Sequence, residues 1–224
     1  MQKVENLLGN SILLLQNYLL HLPEIEKQNM KKRIAIAGLP KSNKTSLARA
    51  LSNMTGIPYI QNKTMYEWHR IYDLSDSKSD LTWKDLFLIA ASSFFERVKV
   101  ESYYDQFISD GASFSELMCL KVNFSISFQN EMQEIRKKKI IESLEHVSAT
   151  YAAQQYDFII HADSSNNEEL VNKFYEELYL KYKIPYKIYN TEFLEQTMRE
   201  ISKDLNLPTK ISIENSIFKQ KQTL

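Results

Sequence analysis

Residues 34–51 read IAIAGLPKSNKTSLARAL, and no other stretch restricts the fold of this chain so tightly. Apolar, strand-forming residues run into Gly38. Beyond a short polar loop, Lys44-Thr45 opens a segment in which Leu47, Ala48 and Leu51 are spaced along one helical face. A strand that passes through a glycine loop into a helix directs successive backbone N–H groups, and the positive end of the helix, at one point. That point is an anion site. The spacing fits G-x-x-x-x-G-K-[ST] at every fixed position but one, where Asn43 replaces the second glycine. Asn tolerates positive φ better than most non-glycine residues, so the loop is expected to turn there. Its side chain would then either crowd a bound phosphate or hydrogen-bond to it. Only four glycines occur in the chain, so each marks a backbone need, and Gly38 stands where the loop leaves the strand.

These residues assign roles. Gly38, Lys41, Ser42, Asn43, Lys44, Thr45 and Ser46 would form the nucleotide cradle. Lys44 would supply charge to the β- and γ-phosphates of ATP, and the Thr45 hydroxyl a ligand to Mg²⁺. The competing reading is a structural strand–turn–helix with a coincidental Lys-Thr.

Downstream, strand and helix patterns alternate. Strands are expected at 33–37, 57–60, 106–110, 158–160 and 185–189. Helices are expected at 45–54, 82–103, 131–152, 168–182 and 191–205. Met132, Ile135, Leu144, Val147 and Tyr151 mark one face of the third helix. The pattern predicts an α/β fold, a doubly wound parallel five-stranded sheet with helices on both faces. Residues 29–205 form this nucleotide-binding domain. Residues 1–28 read as an N-terminal helical extension, amphipathic over 3–22, and 206–224 as a tail. The extension either packs on the domain or mediates a homodimer or a protein-partner contact.

Asn10, Gln16, Asn17 and His21 interrupt the apolar N-terminus, which leaves no run of the ~20 apolar residues that a span needs. No secretory leader pattern is present, and the chain reads as cytoplasmic, without a membrane partner. Lys+Arg and Asp+Glu both number 28, so bulk charge gives no reason to expect nucleic acid. One cysteine, Cys119, excludes an internal disulfide. The four histidines show no metal spacing.

The second anchor is Asp110, which ends the strand in FISDGASFSELMCLK and runs into Gly111. An acid there can hold Mg²⁺ or take the proton of a phosphoryl acceptor. The alternative is an Asp opening a turn before a helix. A GTPase reading fails, because QNKTM places Met65 where an N-K-x-D motif needs its acid.

GLPKSNKTSLARALSNMTGIPYIQNKTMYEW, then ERV, then FISDGASFSELMCLK, resemble the nicotinamide riboside kinase-like phosphate-loop family. The similarity to its unassigned bacterial ATP/GTP-binding branch is greatest, over about residues 31–205. The resemblance implies a fold of the nucleoside- and nucleotide-kinase type, ATP with Mg²⁺, and phosphoryl transfer to a small-molecule acceptor. It implies phosphate and metal roles for Lys44 and Thr45, and a catalytic or metal role for Asp110. An acceptor pocket would draw on Gln61 to Arg70 and on the loop after Asp110, with Tyr66, Trp68 and Arg70 as contacts. One departure stands out. Such kinases carry an arginine-bearing lid after the fourth strand, and FIIHADSSNNEELVNKF has no arginine. Arg70, Arg97 or Arg136 would have to supply that charge, and Lys173 is a poor substitute for a planar fork. Two functions are therefore expected from the sequence: a small-molecule kinase, or a degenerate nucleotide-binding module that acts through a partner.

Overall fold

The computed structural model describes residues 32–39, 41–74, 81–126, 131–163 and 169–207. The expected N-terminal helix and most of the tail lie outside them. Five strands form one parallel sheet: β1 (Arg33–Gly38), β2 (Tyr59–Ile60), β3 (Phe107–Asp110), β4 (Phe158–Asp163) and β5 (Tyr186–Asn190), in the order β2-β3-β1-β4-β5. The connecting helices are α1 (Lys44–Thr55), α2 (Met65–Ile71), α3 (Trp83–Glu101), α4 (Ser115–Ile126), α5 (Glu131–Gln155), α6 (Glu169–Tyr182) and α7 (Leu194–Asp204).

Strand periodicity divides the core in two. Ile34 and Ile36 of β1 join α1 and α7 through Leu47, Leu51 and Ile201. Ala35 and Ala37 point to the other face, under Phe94 of α3, Leu117 of α4, Val147 of α5 and Tyr175 of α6. Alanines on that face let the larger helical layer approach the sheet closely. Both faces are covered, as a parallel sheet requires.

Two helices are additional to those expected. α2 begins at a capping box in which Thr64 and Glu67 satisfy each other's backbone N–H groups. In α4, Glu116, Lys121, Asn123 and Ser125 are scattered among the apolar residues, so the segment carries no helical period. β4 extends to Asp163, so His161 and Asp163 belong to the strand rather than following it. On α5, Leu144, Val147 and Tyr151 are buried, but Ile135 is 58% exposed. Among its described side chains the buried face of this long helix starts at Ile141, with the exposed Ile135, Arg136, Lys138 and Lys139 ahead of it; the Met132 side chain lies outside those described.

Candidate functional site

β1 is central and flanked by β3 and β4, so the chain departs to opposite sides from its C-terminal end. Ligands settle in such a crevice in open parallel sheets. Gly38 leaves β1 at φ 137, beside Ala162 of β4. Lys41 and Asn43 both adopt left-handed backbone, at φ 69 and 58. Ser42 is buried and donates its hydroxyl hydrogen to the Leu39 carbonyl at 2.8 Å. Thr45 and Ser46 are exposed on the first turn of α1, and the Lys44 ammonium donates to the Leu39 carbonyl. The loop therefore curls around its own carbonyl.

Asn43 precedes α1 without capping it through its side chain. Its amide nitrogen leaves the cradle and donates to the Thr191 carbonyl, 3.1 Å away in the loop after β5. The crowding anticipated at this position does not arise, because the side chain points at protein.

Parallel register sets Asp110 beside Ile36, one strand from the loop. The Thr45 hydroxyl donates to Asp110 Oδ2 at 2.7 Å, and the Tyr59 hydroxyl donates to the same oxygen at 3.1 Å. Burial, then the Asp110 charge, raises the Tyr59 pKa, so this phenol stays a donor. Asn62 donates its amide to the Asp110 carbonyl at 3.1 Å, which joins the start of the Gln61–Arg70 segment to this strand end.

Below the β3 tip lies a buried ion pair. Arg97 of α3 is 1% exposed and donates to the Gly111 carbonyl at 2.6 Å and to Ser109 Oγ at 2.9 Å. Glu101 stands 3.9 Å from it and accepts from Ser109, Tyr151 and Tyr156 at 2.7, 3.0 and 3.1 Å. Burial raises the Glu101 pKa against the pull of Arg97 and these donors. Burial likewise opposes the Arg97 charge, but Glu116, Tyr156, Glu101 and Asp110 outweigh it and its pKa is raised. Arg97 thus fixes the backbone beneath Asp110 and does not reach into the crevice.

Of the residues expected to meet an acceptor, Tyr66 and Arg70 are exposed on α2, while Trp68 is buried and stacked 5.7 Å from Tyr72. Arg136 and Lys173 are exposed on α5 and α6. Sequence reasoning missed Tyr59, Asn62 and Thr191. It also missed Arg49, which lies one turn beyond Thr45 with its guanidinium 5.6 Å from the Tyr59 ring. The i, i+4 spacing from Thr45 was the available signal for Arg49.

The donors fit Mg²⁺ chemically. A hydroxyl and a carboxylate at hydrogen-bond distance are hard oxygen ligands, and such a cation takes few protein ligands and shares the rest with phosphates and water. A separate groove of about 780 Å³, lined by Lys121, Glu145, His146, Lys181 and Tyr182 among others, lies between α4, α5 and α6 and includes none of these residues. No described helix is long and apolar enough to cross a membrane.

No protein-family model and no curated protein matches the sequence. Solved structures do match. Deoxyadenosine kinase from M. mycoides with bound dATP is 18% identical, with a TM-score of 0.57 over 78% of this chain and 99% of that one. Thymidylate kinase from Candida albicans is 14% identical, with a TM-score of 0.53 over 79% and 91%. NadR in complex with NAD and AMP-PNP is 14% identical, with a TM-score of 0.52 over 84% of this chain and 53% of that one. NadR is thus one neighbour among several and is not set apart from the others. The chain has the fold of the P-loop nucleoside and nucleotide kinases.

Proposed function

We propose that this protein binds ATP at the C-terminal ends of β1 and β3 and transfers the γ-phosphoryl group to a hydroxyl of a small, nucleoside-like acceptor. The observation that carries the reading is the meeting of Thr45 with Asp110 at 2.7 Å, directly after a loop that curls from Gly38 to Lys44. The loop N–H groups and the α1 N-terminus bind the phosphates. Lys44 exchanges the Leu39 carbonyl for β- and γ-phosphate oxygens. Thr45 and Asp110 are the residues that would hold Mg²⁺, which when bound withdraws charge from the transferring group. Asp110, steadied by Tyr59 below and by Arg97 and Asn62 at its backbone, is also the group to receive the acceptor's proton. The acceptor is assigned to the side of Asn62 and α2, with Tyr66 and Arg70 as contacts, while the Trp68 expected beside them is buried against Tyr72. A partner or homodimer contact through residues 3–22, and a cytoplasmic setting, belong to the same proposal.

The test is ADP release with Mg²⁺ and a panel of nucleosides and related alcohols. One acceptor should stimulate release, and Asp110→Asn should slow that turnover by at least about a hundredfold while ATP still binds. ATP binding without turnover for any acceptor contradicts the kinase.

A second reading, a nucleotide-binding module without transfer, draws on one observation. Arg97 is buried in the β3 support, and Arg136 and Lys173 point to solvent, so none of them replaces the arginine missing after β4. Arg49, whose guanidinium lies over the ring of Tyr59, the phenol that donates to Asp110, is a cation that weighs against that reading.

A further inference from the structure

Asn43 stands where this loop pattern has a glycine, and its side chain performs a task that glycine cannot. The amide nitrogen donates to the Thr191 carbonyl at 3.1 Å, across 148 residues of sequence. Thr191 is fully buried. Its N–H donates to the Asp163 carbonyl at 2.9 Å, and its single hydroxyl hydrogen is shared between the Ser42 and Asp163 carbonyls, each at 2.9 Å. Two successive loop residues, Ser42 by its carbonyl and Asn43 by its amide, are thus fastened to one buried residue at the ends of β4 and β5.

A glycine at position 43 would allow the same left-handed turn, but it would also allow many others and would lack the amide that holds this one. Asn accepts φ 58 and forfeits most of that freedom. The cradle is therefore curled before any ligand enters, which reduces the ordering cost of binding. The same tether links the cradle to the β5–α7 loop, where Phe193 is 66% exposed. Whatever orders one loop orders the other.

We propose that Asn43 is a positioning residue: its clamp on Thr191 holds the phosphate loop in its binding curl and couples it to the β5–α7 loop. This rests on the nucleotide-binding reading, and the test separates the two. In the ligand-free full chain, amide hydrogen exchange is compared between wild type, Asn43→Gly and Thr191→Val. Asn43→Gly still permits the turn but removes the tether and frees the backbone at 43, so exchange should quicken roughly three- to tenfold at 41–44, and the loss of the tether should quicken it at 191–193 as well. Thr191→Val leaves the Asn43 amide bond to the residue-191 carbonyl in place and removes only the hydroxyl bonds to Ser42 and Asp163, so it reports the Ser42 tether separately from the clamp. Affinity for Mg-ATP and for Mg-tripolyphosphate should fall together in Asn43→Gly, by a factor in the same range. In Asn43→Asp, a carboxylate faces the Thr191 carbonyl and the fall should be larger.

Exchange that quickens at 41–44 alone, or Asn43→Gly binding as tightly as wild type, overturns the clamp. If ATP binding is lost in Lys44→Ala but unchanged in Asn43→Gly, the clamp falls and the nucleotide reading stands. If wild type binds neither ligand, the nucleotide reading falls, and the exchange experiment still decides the clamp.

Discussion

Gly38 and Asn43 both use positive φ, for different reasons. At Gly38 the requirement is space. A Cβ there would lie 2.3 Å from the Ala162 carbonyl oxygen, a backbone atom that cannot yield without displacing β4. Gly38→Ala should therefore lower ATP affinity more than tenfold and cost about 2–4 kcal/mol of stability, read by calorimetric titration and urea unfolding. At Asn43 the requirement is conformational, and the tolerance of Asn for that region was legible from residue type. The destination of its amide was not, because nothing local in SNKTS points to Thr191. Arg97 teaches the same lesson. In ERV it reads as an available cation, yet the fold buries it with Glu101. Arg97→Met should cost roughly 3–5 kcal/mol in urea unfolding, because Glu101 is left without its cation. Adding Glu101→Gln should recover part of that loss.

Among elements, those with a clear period or a strong stop were read within a few residues. α1 ends at Gly56, which adopts φ 77 and donates its N–H to Ser52. α2 was legible in principle from its capping box and escaped notice because it is short. α4 offered no signal, since its apolar residues do not gather on one helical face, and such a segment looks like any apolar run. β4 was expected to end at Ile160, because His161 reads as polar. The structure buries His161 against α6, where its ring bonds Tyr179 at 2.9 Å and Asn172 at 3.2 Å. Burial holds its pKa below the ordinary value of 6.5, against the opposing effects of Asn172 and Asp163. The unfolded chain therefore takes up this proton at higher pH than the folded one. The associated stability is present above 6.5 and is lost as pH falls through the folded value. Urea midpoints measured from about pH 7.5 down to about pH 5.5 should decline more steeply for wild type than for His161→Gln. Parallel profiles would show that His161 is not held neutral.

For the whole molecule, alternating strands and helices were enough to imply a parallel sheet covered on both faces. The order β2-β3-β1-β4-β5 was not written in any local pattern. It follows from crossovers that return the chain to either side of β1, and it sets Asp110 beside Ile36, two residues ahead of Gly38, although Ile36 and Asp110 are 74 positions apart in the sequence. Residues 1–31, with the expected amphipathic helix, lie outside the described part, so the proposed partner contact has to be tested on the full chain. The central claim is that this crevice is a live nucleotide site despite Asn43. Calorimetric titration of ATP with and without Mg²⁺, on wild type and on Lys44→Ala, tests it most directly. The account predicts Mg²⁺-dependent binding to wild type that disappears in the variant. Absence of binding to wild type, or equal binding by both proteins, would contradict it.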